Sequence, residues 1–168
     1  MTRKDGHHPI ILMQCGPVRY RVNARAEAAR RPFSHKVVVR PTDFRPLNQS
    51  ADKRTEFHAI YEELARDDAR NRRIADDVVE AVREGRSPLV VTERQEHLEL
   101  IAQLLSGRVR NVIVLRGGMG RKERAAASAE LAAIPPDAER VLVATGRYIG
   151  EGFDDVRLDT LFLTLPVS

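Results

Sequence analysis

The chain has 168 residues, 42% apolar and 31% charged, with a formal net charge of +4 at neutral pH. That composition fits one globular domain able to bury a core without disulfide staples, and it excludes a disordered chain. No apolar run approaches the roughly 18 residues of a spanning helix, and the segment around Lys4, Asp5, His7 and His8 lacks a signal-peptide core, so a cytoplasmic location with no membrane partner is expected.

The positive charge is concentrated at the start. Residues 1–45 hold ten Lys and Arg against three Asp and Glu, whereas residues 46–168 hold eighteen against twenty-one. Arg19, Arg21, Arg25, Arg30, Arg31 and Lys36 can therefore either contact phosphates in a salt-dependent way or simply solvate a face. The lone cysteine, Cys15, cannot form an internal disulfide and, beside Leu12 and Met13, is expected to be a small buried hydrophobe. His7 and His8 have no acidic or cysteine partners at ligand spacing, and no metal site is expected in the chain.

In chain order, residues 6–23 mix an apolar run with Pro9, Gly16 and Pro17, which leaves strand or short helix undecided. Asn23 to Arg31 can form a short polar helix, and KVVVR at 36–40 reads as a β-branched strand ended by Pro41. After a polar connector, Phe57, Ile60, Tyr61 and Leu64 make the stripe of an amphipathic helix, and Ile74, Val78, Ala81 and Val82 make a second, stopped at Gly85. Asp67, Asp68, Asp76 and Asp77, interleaved with Arg70, Arg72 and Arg73, read as a solvated, ion-paired face.

From Pro88 the chain repeats a unit. PLVVT (88–92), NVIVL (111–115) and RVLVA (140–144) are apolar runs without alternation. Helical segments separate them, one carrying Leu98, Ile101 and Leu105 before Gly107, the other spanning Ala125 to Ala133 before Pro135 and Pro136. Strands buried on both faces and joined through helices make right-handed crossovers in a parallel sheet. The expected fold is an α/β three-layer sandwich with a mainly parallel sheet and strands near 37–40, 89–92, 112–115, 141–144 and 161–164.

Parallel order sends three polar strand ends to one edge: Thr92, Glu93 and Arg94; Arg116, Gly117 and Gly118; Thr145 and Gly146. A phosphate polymer across that edge would meet backbone amides, the Thr92 and Thr145 hydroxyls, and Arg94, Arg121 and Arg124, contacts that carry no base identity. After the third strand, Gly146, Gly150 and Gly152 share a loop with Thr145, Glu151 and Asp154, which suits close approach of a ligand to backbone. There is no G-x-x-x-x-G-K-[ST] phosphate loop, the nearest run being GGMGRKER, and no nucleophile with a base, so no catalytic residue is assigned.

Ser87 to Ser168 resembles the second RecA-like lobe of a superfamily 2 helicase of the DEAD/DEAH kind, a group that includes type III restriction-enzyme motor subunits and repair-type translocases. PLVVTER resembles motif IV, VLVATGRYIGEGFD resembles motif V, and LRGGMGRKER resembles the family's strand-to-helix segment, with Arg116 for the usual His and Arg121 for the usual Gln. The resemblance implies a RecA-like, P-loop NTPase-like lobe without a P-loop of its own. It implies that Thr145 and Gly146 contact the nucleic-acid backbone, that Gly152 and Asp154 face the nucleotide across an interlobe cleft, and that Glu151 couples the two.

The chain stops at LPVS, ahead of the motif VI arginines, and TRKDG resembles residues that trail motif III. The expectation is therefore a tail of the first lobe with its connector at 1–35 and a truncated second lobe at 36–168. The implied function is one motor lobe of an ATP-dependent helicase or translocase. Its implied partners are nucleic acid, DNA before RNA, and the missing N-terminal lobe. ATP with Mg2+ would be the cofactor of the intact protein, with none tightly bound by the fragment. The alternative is a stand-alone single-strand binding module; a small phosphate-binding or transferase-like enzyme would have only Glu93, Glu151 and Asp154 to offer as a base.

Overall fold

In the computed structural model, residues 8–17, 19, 23, 34, 36–47, 53–149 and 153–166 are described. The chain divides into two compact units, Met1–Pro41 and Thr42–Ser168.

In the first unit, His8–Cys15 forms helix α1, which resolves the choice between strand and helix. It ends at Gly16, whose φ of 78° makes the left-handed turn that glycine tolerates, and Pro17 follows. Two expectations are corrected here. Cys15 is exposed rather than buried, and Ile10, Leu12 and Met13 are exposed as well, so the described side chains of this apolar helix form no buried face. Residues 36–40 are irregular rather than a strand, with Val37, Val38 and Val39 exposed; β-branched composition favours a strand only where a ladder partner and a face to pack on are supplied. The polar helix expected from Asn23 to Arg31 lies outside the described residues, apart from Asn23.

The second unit is built on four parallel strands, β1 (Pro88–Thr92), β2 (Val112–Leu115), β3 (Val141–Thr145) and β4 (Thr160–Leu163), in the order β2-β3-β1-β4. These match the four downstream strand expectations to within a residue or two. Leu89 pairs with Leu142 and Leu161, and Ile113 with Leu142, so apolar residues lie in rows across the sheet. The two central strands are buried at every position, as strands covered on both faces must be.

Helices α2 (Lys53–Arg66), α3 (Asp68–Arg83), α4 (Gln95–Leu105), α5 (Arg121–Ala133) and the single turn α6 (Gly146–Ile149) complete the unit. Val78, Val79 and Val82 of α3 and Leu98, Ile101 and Leu105 of α4 pack on Val90, Val141 and Val143, forming one core. Leu89, Val91, Ile113, Leu115, Leu142 and Ala144 point the other way and meet Ala127 of α5, Ile134, and the partly buried Tyr148 and Phe153. The result is an α/β fold with helices on both faces of an all-parallel sheet. Among the described residues no helix is long and apolar enough to cross a membrane.

The charged run at 67–77 is only partly the solvated face expected of it. Asp67 caps α3 by accepting from the Arg70 amide at 3.0 Å. The half-buried Arg70 guanidinium donates to the carbonyls of Leu64 (3.4 Å) and Thr164, which ties the start of α3 to the end of β4. Asp76 does pair at the surface, with Arg108 at 2.6 Å.

At the amino edge of the sheet Arg140, just before β3, is 2% exposed. Its guanidinium makes a two-pronged bond to Asp155 at 2.7 and 2.8 Å and a third to Ser87 Oγ at 2.8 Å. Arg157 adds its amide to Asp155 Oδ1 at 3.0 Å and extends its guanidinium to the carbonyls of Leu131, Ile134 and Pro135 at the end of α5. That clasp fixes where the chain from β3 returns to begin β4.

Candidate functional site

The carboxyl ends of β1, β2 and β3 meet, with β3 between the other two. On one side the Gly117 amide donates to Thr145 Oγ1 at 2.8 Å. A Cβ placed on Gly117 would stand 3.4 Å from that hydroxyl and 3.5 Å from Arg147 Cβ, so the turn after β2 lies directly on the end of β3. On the other side the Glu93 carboxylate lies over Gly146: a Cβ there would collide with Oε1 and stand 3.3 Å from Cδ. Gly118, at φ 85°, supplies the left-handed residue of the turn between Gly117 and α5.

Arginines surround this edge, and several are already engaged. Arg116 sits between Glu99 (3.7 Å) and Glu123 (3.6 Å). Arg94 is half-buried and donates to the His58 carbonyl of α2 at 3.2 Å. Arg124 reaches the Met119 carbonyl with Nε at 3.0 Å and is otherwise exposed, as is Arg121. Gly120 begins α5, its amide donating to Glu123 at 2.9 Å. The edge is thus basic but threaded with carboxylates, Glu93 nearest its centre.

Thr92 takes a different place from its neighbours. It is 1% exposed, and its hydroxyl bonds His97 Nδ1 at 2.8 Å. His97, also 1% exposed, meets Asn71 Oδ1 through Nε2 at 2.9 Å, and Asn71 Nδ2 donates to the Ala65 carbonyl at 2.8 Å. Desolvation, with the nearby Arg70 charge adding to it, lowers the His97 pKa from 6.5 to about 4, so the ring is neutral at physiological pH. Sequence reasoning missed Asn71 and His97; the available signal was two polar residues on the inward stripes of otherwise apolar helix faces. Hydroxyl, imidazole and amide have the connectivity of a nucleophile, base and orienting group. The hydroxyl is sealed from solvent, however, and the imidazole is too weak a base, so the chain of bonds is structural.

The sequence-expected residues therefore separate into groups. Gly117 meets Thr145 and Glu93 meets Gly146 at the edge, with Arg94, Arg116, Gly118, Arg121 and Arg124 on the turns and helix start beside them. Gly152 and Glu151 lie outside the described residues. Asp154 is exposed and directly precedes the clasped Asp155; no described contact joins it to the strand-end cluster. No group of three or more metal-ligating side chains occurs among the described residues.

The architecture and the edge define a class, an α/β domain with a parallel sheet and a glycine-bearing, arginine-rimmed carboxyl edge. Comparison with protein-family models, with curated proteins and with solved structures gave no match.

Proposed function

We propose that this chain contributes one lobe of an ATP-dependent nucleic-acid motor and that the carboxyl edge of its sheet grips the backbone of a single strand. The observation that carries the proposal is the contact of three strand ends through Gly117 on Thr145 and Glu93 on Gly146. Two of the ends carry no side chain of their own, so once the flexible Glu93 side chain swings off Gly146 a polymer backbone can approach main-chain groups, with Arg94, Arg121 and Arg124 on the flanks for its phosphates. Open α/β sheets place ligands at this edge, and Thr92–Arg94 of the motif IV-like stretch and Thr145–Gly146 of the motif V-like stretch lie on it.

ATP would be held mainly by a partner lobe. Of the residues assigned to the nucleotide, Asp154 has an exposed carboxylate, which accepts hydrogen bonds and repels phosphates, so it fits the sugar or base rather than the triphosphate. The nucleotide, when bound, supplies the free energy that opens and closes the lobes. With no phosphate loop in its sequence, the chain alone is expected to release no phosphate from ATP, with or without a single strand; steady release would overturn the motor-lobe reading.

Binding is tested by fluorescence anisotropy with a labelled thymidine 20-mer across a salt series. The dissociation constant is expected to rise steeply with salt. The Arg121→Ala/Arg124→Ala double variant should flatten the log–log slope by about 1.4, roughly 0.7 per lost phosphate contact on a single strand. A salt-independent signal, or a double variant with the parent slope, would show that the edge does not hold phosphates.

A further inference from the structure

Among the described residues six polar side chains are buried, and four of them, Asn71, Thr92, His97 and Thr164, lie where the α2–α3 turn meets the ends of β1 and β4. Polar groups are costly to bury unless their bonds are completed, and here they are completed in one order only. Asn71 donates from Nδ2 to the Ala65 carbonyl, so the atom it turns to His97 is an oxygen that only accepts. The imidazole proton is therefore on Nε2, Nδ1 is an acceptor, and the Thr92 hydroxyl is the donor. The Thr92 oxygen keeps its lone pairs for the Arg94 amide, at the 3.5 Å limit.

The bonds thus run from the α2–α3 turn, through the core, to the first residue of a strand end. Two more joints act on the same turn and segment: Arg70 bonds the Thr164 carbonyl, and the Arg94 guanidinium bonds His58 of α2. A cavity of about 320 Å³ lies at the same junction, with Ala65, Arg94 and His97 in its wall. Within the buried site the ring is held by hydrogen bonds at both of its nitrogens.

We infer that His97 is a positioning residue: through Thr92 and Asn71 it anchors the segment Thr92–Arg94 to the α2–α3 turn and so sets where Glu93 and Arg94 meet a nucleic-acid backbone. This role rests on the reading of the edge as a nucleic-acid surface. Without the Thr92 hydroxyl, His97 Nδ1 would lose its donor and the segment its anchor, while the shape of the core would hardly change.

The test combines ring ¹⁵N NMR of the full chain with binding of the labelled thymidine 20-mer. In the wild type, His97 should show the Nε2–H tautomer, and its ring resonances should shift together with the Arg94 amide as the 20-mer is added. Thr92→Val should bind about tenfold more weakly and Thr92→Ser within about twofold of wild type, the loss being that of one hydrogen bond between neutral groups. An Nδ1–H tautomer, or an Arg94 amide that moves while His97 does not, overturns the positioning role without need of any variant. A folded Thr92→Val that binds like wild type overturns it too and leaves the edge reading standing. A wild type that binds no 20-mer removes the edge reading and the role with it.

Discussion

Arg140 carries a charge into a site almost closed to water, and the Asp155 carboxylate is what makes that tolerable. The bond from Arg140, foremost, holds the Asp155 pKa below its ordinary value; burial opposes, and the Arg157 amide helps. Removing one partner of such a pair leaves an uncompensated buried charge, so Asp155→Asn should cost about 3–5 kcal/mol of folding stability, read from urea denaturation. Gly146 makes a different prediction. The atom a new Cβ would strike is the tip of the flexible Glu93 side chain, which can swing away. Gly146→Ala should therefore leave the thermal midpoint within about 2 °C of the parent, as a surface substitution does, while moving Glu93 and changing the affinity for a single strand. A large fall in the midpoint would mean that Glu93 is held in place by more than its own rotamer preference.

At the scale of elements, the central strands and the helices α3 and α4 were legible because their hydrophobic period matches how they are buried, whereas Phe57 of the α2 stripe is 60% exposed. β1 and β3 read as unbroken apolar runs and are covered on both faces, and the stripes of α3 and α4 are the residues that pack on them. The same logic failed at Val37–Val39, where a strand-like composition is exposed and joins no strand among the described residues, and at Cys15, where the described side chains of an apolar helix are exposed. Of the site, the convergence of Thr92, Arg116 and Thr145 ends on one edge follows from parallel order alone. The contacts of Glu93 with Gly146, and of His97 with Asn71 26 residues away, depend on how elements settle against each other, which periodicity does not encode. The outermost strand shows the contrast in energetic form. Leu142 is fully buried in β3, whereas on β4 Leu161, which shares its row through Leu89, and Leu163, in the row of Val91 and Ala144, are each 57% exposed. Leu142→Ala is expected to cost about 2–5 kcal/mol and Leu163→Ala about 0.5 kcal/mol or less in the same urea titration. Equal losses would mean that the face of β4 is covered after all.

For the whole molecule, the two buried polar assemblies sit at opposite edges of one sheet and titrate in successive windows. Unfolded, His97 takes up a proton near pH 6.5; folded, it does so only near pH 4. Between those values the unfolded chain binds more protons, so stability falls as the solution is acidified from 6.5 toward 4, by on the order of 3 kcal/mol. Arg70 on α3 acts on the ring directly, and the charged residues that share a cavity wall with His97 are Glu62 and Arg66 on α2, Asp68 on α3, and Arg94 and Glu96 around the start of α4. They are of both signs, so desolvation, and not a dominant neighbour, governs this window. Asp155 acts lower. Its stabilisation is complete above the unfolded carboxyl value of 3.8 and is lost only as the pH drops through its depressed folded value. Stability measured by urea denaturation at intervals from pH 7.5 to 3 should therefore fall in two stages. The difference between wild type and His97→Gln should change between pH 6.5 and 4 and be flat above. The difference between wild type and Asp155→Asn should stay constant down to about pH 4 and shrink only below it, as the wild-type carboxylate is itself neutralised. Because other titrating groups are common to each pair, they cancel in the difference. A His97→Gln difference that stays level from pH 7.5 to 4 would mean that the ring exchanges its proton as freely in the folded chain as in the unfolded one, and that the sealed bond order from Ala65 to Thr92 does not hold in solution.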